Sequence, residues 1–276
     1  MASLFTPFDL KGLGLRNRIV MSPMTRTRAT EDGVPTDLMR DYYVQRASAG
    51  LIITECIQVS EQGRGVIRAP GIHRGDQIAG WRRITDAVHA AGGRIYAQLW
   101  HAGRVSHPDI RGGALPVAPS AVAAEGDFYL PTGRVDFPMP RVLGIEEIAP
   151  IVAHFAQATV NAREAGFDGV ELHGANGYLQ DQFLQDNTNK RTDAYGGSVA
   201  GRARLMIETA QAMVAAWSAD RVGVRLSPSS LLYGVRDSDT RTTFSYVIKE
   251  LNALGLSYLH LREPSAKDLA TGDIQI

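Results

Sequence analysis

Short apolar runs alternate along the chain with stretches in which apolar side chains return every three or four positions. The runs are Arg18–Met24, Leu51–Cys56, Arg94–Trp100, Val170–Leu172, Val222–Leu226 and Tyr258–Arg262. Apolar residues at consecutive positions, rather than at every second one, mark strands buried on both faces. The periodic stretches predict helices. Thr36 caps one that carries Leu38, Met39, Tyr42, Tyr43 and Arg46 and is stopped by Gly50; Asp76 opens the next, with Ile78, Trp81, Thr85 and Val88 before Gly92-Gly93. Ile148, Ile151, Val152, Phe155, Thr159 and Ala162 stripe a third, ended by Gly166. Ser198 caps a fourth, with Met206, Ala210, Met213 and Trp217 on one face. Phe244, Val247, Ile248 and Leu251 mark a fifth, ended by Gly255. Residues 5–16, with Gly12 and Gly14 set between leucines, predict a small hairpin.

Repetition of strand and helix specifies a parallel sheet with right-handed crossovers. An open dinucleotide-binding sheet would need a glycine-rich phosphate turn after its first strand. Pro23-Met24-Thr25-Arg26 is nothing of the kind, and Gly63-Arg64-Gly65 lacks the strand and helix around it. Polar residues at successive strand ends, Thr25, Cys56, Gln98, His173 and Arg225, favour an α/β barrel of the TIM (β/α)8 type, as a single domain over residues 1–276. Residues 103–145 break the rhythm with six of the thirteen prolines and an apolar patch, Phe128-Tyr129-Leu130. A loop that long inside a compact domain reads as a functional excursion, here a lid over the mouth.

Composition narrows the function classes. The 276 residues are 44% hydrophobic, enough for one substantial core. Lys plus Arg equals Asp plus Glu at 29 each, which gives no reason to expect nucleic acid or an anionic membrane as partner. The lone Cys56 allows no internal disulfide, the N-terminus has no signal-peptide pattern, and no run approaches membrane-spanning length. A cytoplasmic protein acting on small molecules is expected. Histidines 73, 89, 101, 107, 154 and 260 show no metal-ligand spacing, and there is no nucleophile elbow.

The densest candidate chemistry follows the fourth strand: His173, Asn176 and Tyr178 lie within six residues. Two donors in one turn can be aimed at a single oxygen, and a phenol beside them can give a proton. The same residues would equally serve as a polar cap on a strand end. Arg225, inside the apolar run Val222–Leu226, needs an accepting partner, because an unpaired buried charge is costly. Either Glu171 or an anionic ligand would do.

Four separated motifs, in order, resemble the old yellow enzyme family of FMN-dependent ene-reductases. They are Asn17–Arg26, Gln98–Arg104, His173–Tyr178, and Asn187 with Arg191–Ser198, and the likeness covers residues 3–262. It implies FMN as cofactor, NADPH or NADH as reductant and an activated alkene (an enone, nitroalkene or maleimide) as substrate. In that reading Thr25 hydrogen-bonds the flavin carbonyl beside the reactive nitrogen, while Pro23 and Met24 lie against the ring. Gln98 pairs with the pyrimidine edge and Arg225 faces N1 and the C2 carbonyl. His173 and Asn176 clamp the substrate oxygen, Tyr178 donates the proton, and Trp100 lines the pocket. Cys56 stands near the flavin edge where the family often has Ala or Gly, and is read as a packing residue. Val66 stands where relatives often have a tyrosine. A further departure is length. After the sixth strand, Glu263 to Ile276 is too short for another helix and two strands, so only about six β/α units are expected. An alternative is therefore a catalytically silent fragment that needs a complementing C-terminal segment, or a homo-oligomer, to bind FMN.

Overall fold

The computed structural model describes residues 3–264, together with 266 and 269. Most of the stretch after strand six therefore lies outside the described residues. Six parallel strands form one curled sheet in sequence order: β1 Val20–Met21, β2 Leu51–Gln58, β3 Ile95–Trp100, β4 Gly169–Gly174, β5 Val222–Leu226 and β6 Tyr258–Leu261. Five principal helices connect them or lie on their outer face: α1 Asp37–Val44, α2 Gly75–Ala90, α3 Ile148–Glu164, α4 Val199–Ala216 and α5 Thr240–Ala253. This is part of a (β/α) barrel.

Strand alternation sorts the side chains into two sets. Ile52, Ile57, Ile95, Ala97, Leu99, Val170, Leu172, Val222, Val224 and Leu226 face the helices and form the main core with Trp81, Phe155, Met206 and Val247. The opposite set fills the barrel in layers. At the floor, Leu51, Ile53 and Tyr96 meet Leu10 and Leu15 of the N-terminal hairpin, Phe8–Leu10 paired with Leu13–Leu15. Two glycines make room for tyrosine rings there: a Cβ on Gly169 would stand 2.3 Å from the Tyr96 ring, and one on Gly223 2.4 Å from that of Tyr258. Above the floor Gln98 lies beside Cys56 and Glu171 in register, and above that His173, Arg225 and His260 are level across β4, β5 and β6. A register shift between Ile53 and Cys56 turns Glu55 outward, where the Tyr43 hydroxyl donates to it at 3.1 Å.

Several local expectations need correction. The first strand forms a ladder only over Val20–Met21, because Pro23 has no N–H to donate and β1 is an edge of the sheet. Its flank is open, with Ile19 40% and Val20 47% exposed. Thr36 makes no cap bond, since its hydroxyl donates to the Arg28 carbonyl. Helix α1 ends at Val44, well before Gly50, whose missing side chain instead lets the chain pass the Asn17 carbonyl. Arg74 rather than Asp76 precedes the first turn of α2, and Gln77 Oε1 accepts from the Arg74 N–H at 3.2 Å. Helix α4 stops at Ala216, leaving Trp217 as its C-cap. The excursion holds a hairpin, Asp127–Leu130 with Gly133–Asp136, whose Phe128 and Leu130 turn inward while Tyr129 is exposed.

Candidate active site

The turn after β4 is built by its own sequence. Asn176 and Gly177 both take left-handed backbone, with φ of 60° and 76°. A side chain on Gly177 would stand 2.6 Å from the Leu232 carbonyl, so glycine is required twice over. The short helix Leu179–Leu184 then secures the turn. Asp181 Oδ2 accepts the Gly177 N–H at 2.8 Å, and Gln182 Nε2 donates to the carbonyls of Gly177 at 2.7 Å and Ala102 at 3.0 Å.

His173 is buried, and its Nδ1 accepts the Ala175 N–H at 3.3 Å. That bond puts the proton of a neutral ring on Nε2. Burial first, and the Arg225 cation second, hold its pKa well below the ordinary histidine value, so the ring is neutral. The result is a fixed, uncharged donor. Tyr178 stands edge-on to His173 at 5.0 Å between ring centres and to Trp100 at 5.1 Å. Burial pushes its phenol well above the usual range, which keeps the proton on oxygen at neutral pH. Val66 and Tyr178 both pack against a buried cluster of Cys56, Ala69, Trp100 and Ala102.

Arg225 is not held by Glu171. Both Glu171 carboxylate oxygens are committed: Gln98 Nε2 donates to one at 2.7 Å and His260 Nδ1 lies 2.9 Å from the other. Arg225 Nε is buried with no partner among the described residues, as are Trp100 Nε1 and Asn176 Oδ1. These three atoms belong to segments that adjoin His173: Arg225 is its register partner, Asn176 is in its turn, and Trp100 shares Tyr178 with it. Native interiors seldom leave buried polar groups unpaired, so a polar ligand at this place would satisfy them. This fits a flavin and its substrate. Gln98 has capacity left, because an amide offers two N–H donors and two lone pairs while Glu171 and the Cys56 thiol use one of each. Cys56 itself is a packed thiol, its pKa pushed up to about 12 by burial. Its sulfur also meets the Thr25 hydroxyl, which brings the end of β1 to the same group; Thr25 and Met24 are exposed and Pro23 half-buried.

The structure thus brings Thr25, Cys56, Trp100, Gln98, His173, Asn176, Tyr178 and Arg225 to one end of the sheet. It adds groups that sequence reasoning did not assign there. His260, which has no metal-ligand spacing in the sequence, lies 2.9 Å from Glu171. Arg104, just past β3, donates to the carbonyls of Val122, Ala123 and Tyr233. Tyr233 lies 5.8 Å from Tyr178, ring to ring. The signal for Arg104 was its place in the Gln98–Arg104 motif; Tyr233 sits in an irregular segment with no periodic cue.

Comparison with known proteins gives the family. The family model for NADH:flavin oxidoreductases / NADH oxidases matches residues 3–271. A chanoclavine-I aldehyde reductase of Penicillium roqueforti is 48% identical over 268 residues, 95% of this chain and 70% of that protein. The 12-oxophytodienoate reductase 7 of Oryza sativa subsp. japonica is 43% identical over 273 residues, 95% of this chain and 69% of its own. Among solved structures, the old yellow enzyme homologue from Zymomonas mobilis superposes with a TM-score of 0.93 at 44% identity, covering 96% of this chain and 74% of that one. Morphinone reductase gives 0.93 at 45% identity, covering 99% and 74%. The chain therefore spans about seven-tenths of the length of these relatives and belongs to the NADH:flavin oxidoreductase / NADH oxidase family, as an FMN-type oxidoreductase of the old yellow enzyme kind.

Proposed function

We propose that this chain reduces activated C=C bonds of enones, nitroalkenes or maleimides, with NADPH or NADH as reductant. The observation that carries the reading is the fixed, neutral His173 with Nε2–H free of any partner from its own turn, beside Asn176 and a protonated Tyr178. When bound, FMN supplies the hydride to the β-carbon. Thr25, Gln98 and Arg225 would hold it, with Pro23, Met24 and Cys56 against its edge. His173 and Asn176 donate to the carbonyl or nitro oxygen and draw electron density from the alkene. Tyr178 gives a proton to the α-carbon; its value lies in position, because a phenol is a weak acid at neutral pH. Trp100 packs against Tyr178 and bounds the pocket. The excursion 103–145 acts as the lid, its cluster of Val105, Ile110, Ala124, Phe128, Leu130 and Phe137 resting against Tyr178 and Tyr233.

Tyr178→Phe tests the assignment, because it removes the proton and keeps the ring. Flavin reduction by the nicotinamide should survive while alkene turnover falls by ~10²–10⁴-fold. Equal damage to both half-reactions would assign Tyr178 to packing instead.

A second feature favours a complementing segment. Between β1 and β6 lies a cavity of about 460 Å³, lined by Phe8, Leu10, Val20, Leu51, Tyr258 and Leu261 among others. Leu261 is 52% exposed, and among the described residues β1 and β6 are the two outer strands of the sheet. Two further strands, from a C-terminal segment or another copy, would close the barrel and complete the FMN site. Gel filtration with and without that segment checks this. FMN retained stoichiometrically by the monomeric chain alone would contradict it.

A further inference from the structure

A buried acid inside the barrel is paired with a histidine where a guanidinium stands ready. Glu171 is 0% exposed and lies on β4, one layer below His173 and level with Gly223 of β5. Arg225 follows two residues above Gly223 on the same face of β5, so it is the diagonal neighbour of Glu171. An acid and a base so placed would ordinarily pair, because an unpaired buried charge is costly. Here they do not. One Glu171 oxygen accepts from Gln98 Nε2 at 2.7 Å, and the other lies 2.9 Å from His260 Nδ1. That imidazole reaches over β5 from β6. A carboxylate only accepts, so Nδ1 carries the hydrogen.

The consequence falls on Arg225. Its Nε is buried with no partner among the described residues, although His173 and His260 flank it in register. We propose that His260 is a positioning residue that keeps Glu171 away from Arg225, so that Arg225 stays available to the cofactor. This rests on the reading that Arg225 holds FMN. Without the imidazole, one Glu171 oxygen would be buried with no donor on it, a costly state that the neighbouring guanidinium can relieve. Arg225 would then turn to Glu171, and an ion pair within the protein would compete with the ligand for the same nitrogens. Glu171 in turn keeps its other oxygen on Gln98, a bond that this exchange leaves intact.

Variants at position 260 test this. His260→Ala should raise the Kd for FMN by roughly 10-fold, the low end of what one charge-assisted hydrogen bond supplies. Glu171→Gln combined with His260→Ala should bring the Kd back toward wild type. The new carbonyl still accepts from Gln98, but no carboxylate is left to capture Arg225. An unchanged Kd in His260→Ala, or a loss that persists in the double variant, would overturn the role of His260. A second measurement needs no flavin. In protein labelled with 15N in arginine side chains, the Arg225 signals are identified by their loss in Arg225→Met. In His260→Ala a guanidinium hydrogen of Arg225 should move downfield, as hydrogens donated to a carboxylate do. Arg225 signals at their wild-type positions in that variant would overturn the role of His260 whatever the affinities. Arg225→Met is the control for the reading beneath: if it binds FMN as wild type does, Arg225 is no flavin ligand, and the spectra alone decide what His260 does.

Discussion

Replacing Arg225 by methionine separates the contribution of this cation to folding from its contribution to ligand binding. The side chain lies between His173 and His260 in register, its Nε buried and unpartnered, with Glu171 committed to Gln98 and His260. Burial lowers its pKa, while attraction to Glu171 opposes that shift, so the charge is tolerated rather than well paired. A buried polar group without a partner costs about 1–3 kcal/mol. Because Arg225 is only partly buried and loses its attraction to Glu171 when replaced, the low end applies. Arg225→Met should therefore stabilise the flavin-free chain by about 1 kcal/mol, roughly 2–4 °C in Tm for a domain of this size. Its FMN affinity should move the other way. A charge-assisted hydrogen bond contributes about 1.5–3 kcal/mol, so Kd should rise by about one to two decades. Thermal unfolding without FMN, and quenching of flavin fluorescence on titration, give the two numbers. A variant less stable without flavin yet unchanged in affinity would refute the reasoning and make Arg225 structural.

Further outcomes follow from the floor of the barrel and from its buried histidines. Gly169→Ala should destabilise by about 1–3 kcal/mol in urea titration, because the new methyl would meet the Tyr96 ring; a change near zero would show slack in that layer. His101 is buried with Nε2 unpartnered, and burial lowers its pKa from 6.5 to about 3. The unfolded chain thus binds a proton there that the folded chain refuses, so stability is fully present above pH 6.5 and falls as pH drops toward 3. At roughly 1.4 kcal/mol per pKa unit the loss approaches about 5 kcal/mol. His173 adds a loss of the same sign. His101→Asn should flatten the curve of stability against pH, and an unaltered slope would assign the acid loss elsewhere.

The barrel was legible because its physics is local. Every buried strand shows as an apolar run, and each helix shows its stripe, so order and parallel direction follow before any contact is known. His173, Asn176 and Tyr178 were legible for the same reason, since one turn carries all three. Boundaries were less so. Gly50 marks a close passage of two chains rather than a helix stop, and Thr36 spends its hydroxyl on Arg28, choices made by tertiary neighbours. The pairing of Glu171 with Gln98 and His260, instead of Arg225, depends on register across four strands. Tyr233 was invisible. Its position comes from Arg104, 129 residues away, gripping a carbonyl that every residue possesses.

In the proposed reaction His173 and Asn176 activate an alkene by holding its oxygen. The most direct test is anaerobic reoxidation by an α,β-unsaturated ketone of the protein saturated with FMN and reduced by NADPH, followed in a stopped-flow spectrophotometer. In wild type the rate should rise with ketone concentration and saturate. His173→Ala should lose about 2.7–4 kcal/mol of transition-state stabilisation, a fall of roughly 10²–10³-fold, with FMN content and the preceding reduction unchanged. Reoxidation by the ketone at the wild-type rate in His173→Ala would contradict the account.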